Sequence, residues 1–188
     1  PAPKAVDKKA AEAAAAVDPA QELLAALRSG SGDAVEAAEK LCALPPQRST
    51  EHILNELAIG VSPKVANVFL DALAARKDPQ SIEVLAVYAN HRSPELRKKA
   101  LTALGAIPGP QVVPVLIAAL SDSTTDVRAT AAEALGRRRE RTAEGPLLKL
   151  LSRGDSAAAP ALGAIGGPDT ARGLGELVGT LPDRLLIA

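Results

Sequence analysis

The chain has 188 residues, 47% of them hydrophobic, with 22 basic and 22 acidic side chains. That is length enough for a sizeable core, and the balanced charge withholds the basic excess by which proteins hold nucleic acid or anionic membrane. One Tyr, one Phe and no Trp leave almost nothing to stack on bases, the single Cys42 excludes an intrachain disulfide, and no apolar run approaches the roughly 20 residues of a membrane span.

In chain order, Pro1 to Val17 is rich in Ala, with Lys4, Asp7, Lys8, Lys9 and Glu12 interspersed, and reads as a tether ahead of residues 18–188. Because the chain opens on Pro1 and holds no Met, its natural start is expected to lie upstream. The tether suits both a segment left after export and a linker in a cytoplasmic protein, so the compartment stays open between cytoplasmic and exported (periplasmic or membrane-tethered).

Asp18-Pro19 predicts an N-cap followed by Pro at the first helical position, with a helix to about Ser29 whose apolar face is Leu23, Ala26 and Leu27. Gly30-Ser31-Gly32 ends it. Asp33 is expected to cap a second helix with Ala34, Ala37, Leu41 and Leu44 on one face, stopped by Pro45-Pro46. After a Gln47-Arg48 link, Ser49 or Thr50 caps a helix bearing Leu54, Leu57, Ala58 and Val61, and Ser62-Pro63 opens its partner with Val65, Phe69, Ala72 and Leu73.

From Asp78 to Gly136 the sequence repeats itself. Shifting by 31 residues lays Pro79-Gln80 on Pro110-Gln111, Leu85 on Leu116, Arg97 on Arg128, and Leu104-Gly105 on Leu135-Gly136. A fixed period of about 20 to 50 residues marks stacked units, each too thin to bury its own apolar face. Leu104 and Leu135, equivalent in successive units, should therefore be core. Downstream the pattern loosens: Leu147, Leu150 and Leu151 give a short helix after Gly145-Pro146, Asp155 to Ile165 a shortened partner interrupted by Pro160, and Asp169 caps a last helix with Leu174, Leu177, Val178 and Leu181.

The unit from Gly109 through Leu120, with Asp126-Val127-Arg128 and the run to Gly136 after a short link, resembles a HEAT repeat of the short bacterial type also called PBS-lyase HEAT-like. The resemblance is good in the unit ending at Gly105 and spans Asp18 to Leu181 by periodicity. It implies an all-α, right-handed α-solenoid of stacked antiparallel helix pairs. It also implies that Arg128, and Arg97 before it, pair with an Asp of the neighbouring repeat, a role it would assign to Asp126; the unit after Gly136 lacks the Val-Arg pair, with Ser156-Ala157 near that place. It carries across no catalytic residue.

Chemistry is sparse. His52 and Glu56, four apart, read as a surface ion pair rather than metal ligands; His91 reads as a solvated turn residue and Cys42 as a small buried one. No nucleophile triad or phosphate loop is present, so no catalytic, cofactor-binding or metal residue is assigned and no cofactor or small-molecule substrate is implied. Arg97-Lys98-Lys99 and Arg137-Arg138-Arg139-Glu140-Arg141 are basic clusters with acids nearby, read first as solvated faces; Arg138, Arg139 and Arg141 are the protein-binding candidates within them. Leu185, Leu186 and Ile187 form an apolar end without a capping signal, expected either to continue the stack or to dock on a partner. The function expected is a non-enzymatic protein-binding scaffold or assembly subunit within a larger complex, with a nucleic-acid-binding solenoid and a bilin-lyase-related protein as alternatives.

Overall fold

The computed structural model describes residues 18–29 and 33–177. The tether Pro1 to Val17, and Val178, Leu181 and Leu185 to Ile187, lie outside the described residues. Within the described residues every regular element is helical, and helices pack mainly on their neighbours in sequence, so the fold is an all-α solenoid built of helix pairs. The chain divides into two compact units, residues 1–69 and 70–188.

In the first unit, α1 (Pro19–Arg28) packs on α2 (Ala34–Ala43), and α3 (Pro46–Ile59) packs on both. Asp18 caps α1 as the sequence predicts, its Oδ1 accepting the Ala20 N–H at 3.3 Å. The buried face of α1 is Ala20 and Leu24, one position away from the expected one. Asp33 makes no side-chain cap on α2, and Ala37, Ala38 and Leu41 are its core residues. Pro45-Pro46 does not only stop a helix: Pro46 is the first residue of α3, where its missing N–H costs nothing. Ser49 and Thr50 are accordingly buried inside α3 rather than capping it, and its inner face is Ile53 and Leu57 with Glu56. Ser49 Oγ donates to the carbonyls of Leu44 and Pro45, at 3.2 and 3.1 Å. Helix α4 (Pro63–Arg76) carries the boundary between the units and buries Val65, Phe69 and Leu73.

The second unit holds three successive pairs. These are α5 (Ile82–Tyr88) with α6 (Pro94–Ala106), α7 (Val113–Ala119) with α8 (Thr125–Arg137), and α9 (Glu144–Ser152) with α10 (Ala158–Ile165), followed by α11 (Pro168–Leu177). A 3₁₀ turn precedes each first helix. Asp78 Oδ1 accepts the Gln80 N–H at 2.9 Å to start the first turn, and Glu140 Oε1 accepts the Thr142 N–H at 3.3 Å to start the third. Leu85, Leu116 and Leu147, 31 residues apart, are fully buried, and Leu104 and Leu135 are 0% exposed, as the repeat register requires. Pro160 does not interrupt α10, because it falls in the first turn, where no intrahelical N–H bond is lost. Asp169 is the second residue of α11, not its cap, and pairs with Arg172 at 3.3 Å.

The three pairs form two unlike layers. The second helices α6, α8 and α10 lie tightly against one another, whereas the first helices α5, α7 and α9 meet only sparsely. Two glycines close the tight layer. A Cβ on Gly105 would stand 2.7 Å from the Cβ of Ala134, and one on Gly136 would stand 2.9 Å from the Cα of Ala161. Only hydrogen fits at either point.

Candidate functional site

Arg97 and Arg128 sit near the starts of α6 and α8 and reach into the next repeat. Arg97 Nε and Nη2 each donate at 2.7 Å to the two oxygens of Asp122, and Nη1 donates to the His91 carbonyl at 3.0 Å. Arg128 repeats this, with Nε donating to Asp155 Oδ2 at 2.6 Å and Nη1 to the Asp122 carbonyl at 2.9 Å. The acid of the ladder is thus not Asp126. Asp126 points outward on α8 and meets Lys98 at 3.5 Å, largely in water. Asp122 and Asp155 are preferred because each lies in the turn between the helices of a pair, where its Oδ1 also accepts the backbone N–H two residues on, of Thr124 at 2.8 Å and Ala157 at 3.1 Å. The ladder therefore reaches the third pair, although that pair has Ala159 where an arginine would carry it further.

Burial pushes the Asp122 carboxyl up, but hydrogen bonds from Arg97 and from the Thr124 N–H outweigh it and hold the group below its ordinary value. Thirty-one residues earlier, His91 occupies the same turn position. Its Nδ1 accepts the Ser93 N–H at 3.0 Å and its ring stacks on Tyr88 at 5.7 Å, so it is a built turn residue rather than a solvated one. Glu56 is not paired with His52. It is buried, and Arg28 donates to it through Nε at 3.0 Å. Cys42 is half-buried, and no group of three or more His, Cys, Asp or Glu side chains among the described residues is placed to hold a metal ion.

The arginine run does not act as one patch. Arg137 ends α8 and meets Glu133 at 3.7 Å. Arg138, expected on a solvated face, is half-buried, and its guanidinium donates to the carbonyls of Ile107, at 2.6 Å, and Gly109, tying one inter-repeat link to the next. Arg139 is exposed but takes a left-handed φ of 52°, closing α8 through a Glu140 N–H bond to the Leu135 carbonyl at 3.1 Å. Arg141 is exposed at the start of a 3₁₀ turn. The three candidates are thus not equivalent: Arg138 is spent inside the fold, and Arg139 and Arg141 face water.

The open layer presents three accessible concavities. Helix α7 is uncharged throughout, reading Val-Pro-Val-Leu-Ile-Ala-Ala, with Pro114 and Ala118 exposed and Ile117 half-buried. On one side a groove of about 450 Å³ runs between α5 and α7, lined by Ala86, Ala89, Pro114, Val115 and Ala118. On the other a groove of about 460 Å³ runs between α7 and α9, lined by Ile117, Ala118, Gly145, Pro146, Lys149 and Arg153. A third apolar hollow over Pro110, Val113, Pro114 and Ile117 is bordered by Glu140 and Thr142. Ala118 is common to all three. In the sequence the apolar residues of α7 read as core; the signal for an exposed ridge is the absence of any charge on a helix whose inner face needs only Val113 and Leu116.

Paired helices repeated at a constant interval, linked by side-chain ties from one pair to the next, define a tandem helical-repeat protein. Compared with known families, the chain matches HEAT repeats over residues 50–128 and 113–188. The chain belongs to the HEAT-repeat family, whose members generally serve as protein-interaction scaffolds. No curated protein matches the chain.

Proposed function

We propose that the protein is a non-enzymatic scaffold or assembly subunit that binds a protein partner through its helical-repeat surface. The observation that carries this reading is the ridge of α7, an uncharged helix with Pro114 and Ala118 exposed between two open grooves. An apolar ridge of this kind is suited to burial by another surface rather than to chemistry. The grooves are open to solvent; Ser121 borders both and Asp122 the first, but Asp122 is held by Arg97 and no histidine or second acid lines either groove, unlike a catalytic pocket. The test is purification of the tagged full-length protein from its host followed by cross-linking mass spectrometry. The expected result is a stoichiometric protein partner cross-linked to residues of the repeats; a protein isolated alone that retains DNA in a salt-dependent manner would overturn the reading.

A further inference from the structure

We infer that the groove between α7 and α9 takes an acidic, apolar peptide segment of the partner protein, seating its apolar side chains on Ile117, Ala118 and Pro146 and its carboxylates on Lys149 and Arg153. This rests on the reading of the chain as a protein-binding repeat. Three observations carry it. The floor is apolar, with Gly145 and Ala118 leaving room for side chains from outside. Lys149 and Arg153 stand one turn apart at the C-terminal end of α9, so both heads flank the same side of the groove. Neither side chain enters an ion pair or hydrogen bond among the described residues, whereas most other basic side chains along the second unit do, among them Arg97 with Asp122, Lys98 with Asp126, Lys99 with Asp71 and Arg128 with Asp155.

No acid lines this groove: Glu144, beside Gly145, is unpaired among the described residues but its carboxylate lies toward Gly167, at the other end of α9 from Arg153. Asp122 borders the neighbouring groove but is held by Arg97, Asp155 is held by Arg128, and Glu140, at the edge of the third hollow, is hydrogen-bonded to Thr142 at 2.7 Å. The free charge at the groove is therefore positive, and a carboxylate supplied from outside is the complement it lacks. A nucleic acid would also meet the cations. However, the groove offers no aromatic face for a base, since Tyr88 and Phe69 are both buried.

The test is selection of a phage-displayed library of random peptides on the immobilised full-length protein, with enriched peptides then synthesised and titrated. The expected result is enrichment of sequences pairing Asp or Glu with Leu, Ile or Phe. Their affinity should fall at least about tenfold with Ala118→Arg and with Lys149→Glu/Arg153→Glu, and be recovered on the second variant by peptides whose acids are changed to Lys. The double variant lies on exposed positions and keeps the fold, so the test does not depend on Ala118→Arg folding. Enriched peptides indifferent to both variants would overturn the groove while leaving protein binding elsewhere intact. Failure to enrich any peptide, single-stranded DNA competing for the groove, or a self-association lost in Ala118→Arg would each overturn the inference; if the protein from its host also carried no partner, the broader reading would fall with it.

Discussion

The two helix layers of the second unit use small residues to opposite ends. In the layer of α6, α8 and α10, Gly105 and Gly136 stand where a single methyl group would collide with the next repeat. In the layer of α5, α7 and α9, Ala86, Ala118 and Gly145 face space, and a Cβ on Gly145 would meet nothing within 4 Å. Small side chains close one layer and open the other. Stability is thereby concentrated on one side of the unit, and accessible apolar surface is left on the other.

If the layers differ in this way, equal truncations should cost unequal amounts. Leu135→Ala removes a fully buried side chain from the tight layer and should cost about 2 to 5 kcal/mol in chemical denaturation. Ile117→Ala on the half-buried ridge should cost about half that or less, because part of the side chain is already in water. Equal costs would mean that α7 is core after all.

The turns that carry the ladder allow a second contrast. Arg128→Ala leaves Asp155, whose side chain is only 10% exposed, without its cation, and should cost about 2 to 4 kcal/mol, below the full value for a buried pair because Arg128 retains some solvent. Lys98→Ala, which breaks the exposed contact to Asp126, should cost less than about 1 kcal/mol. The ladder also sets an acid limit. Asp122 is lowered in the folded state, so its contribution is complete above the ordinary carboxylate range and is lost as pH falls through the folded value, below about pH 4. Denaturation midpoints should fall there less steeply in Asp122→Asn than in wild type; identical pH profiles would remove Asp122 from the ladder. The smallest effect belongs to Arg139, held at a left-handed φ: Arg139→Gly should raise stability by about 0.5 to 1 kcal/mol, measured by thermal melting, and a loss would show that its side chain holds more than the turn.

Much of this was legible in the sequence and some could not have been. The 31-residue shift places the core of the central repeats because Leu104 and Leu135, and Leu85 and Leu116, recur in register with helical spacing. The N-terminal helices were harder. Pro45-Pro46 is a stop and a start at once, and reading only the stop displaced the beginning of α3 and with it the buried face, to which Ile53 rather than Leu54 belongs. The arginines of the ladder were visible, yet their acceptor was not, since Asp122 and Asp126 are both near and only the turn geometry chooses between them. Arg138 departs from the solvated face expected of it for a related reason: its acceptors are main-chain carbonyls of Ile107 and Gly109, which no side-chain pattern announces. The α7 grooves arise from how far apart the first helices stand, a spacing that no side-chain pattern announces.

The most direct measurement is therefore one substitution made in both layers. Gly136→Ala and Gly145→Ala add the same methyl group to a helix, and each gains up to about 1 kcal/mol of helix propensity. In urea denaturation Gly136→Ala should nonetheless lose about 1 to 3 kcal/mol, because the methyl group meets the Ala161 backbone, while Gly145→Ala should be neutral or gain up to about 1 kcal/mol. Two shifts of the same sign and size would contradict the division into a closed and an open layer.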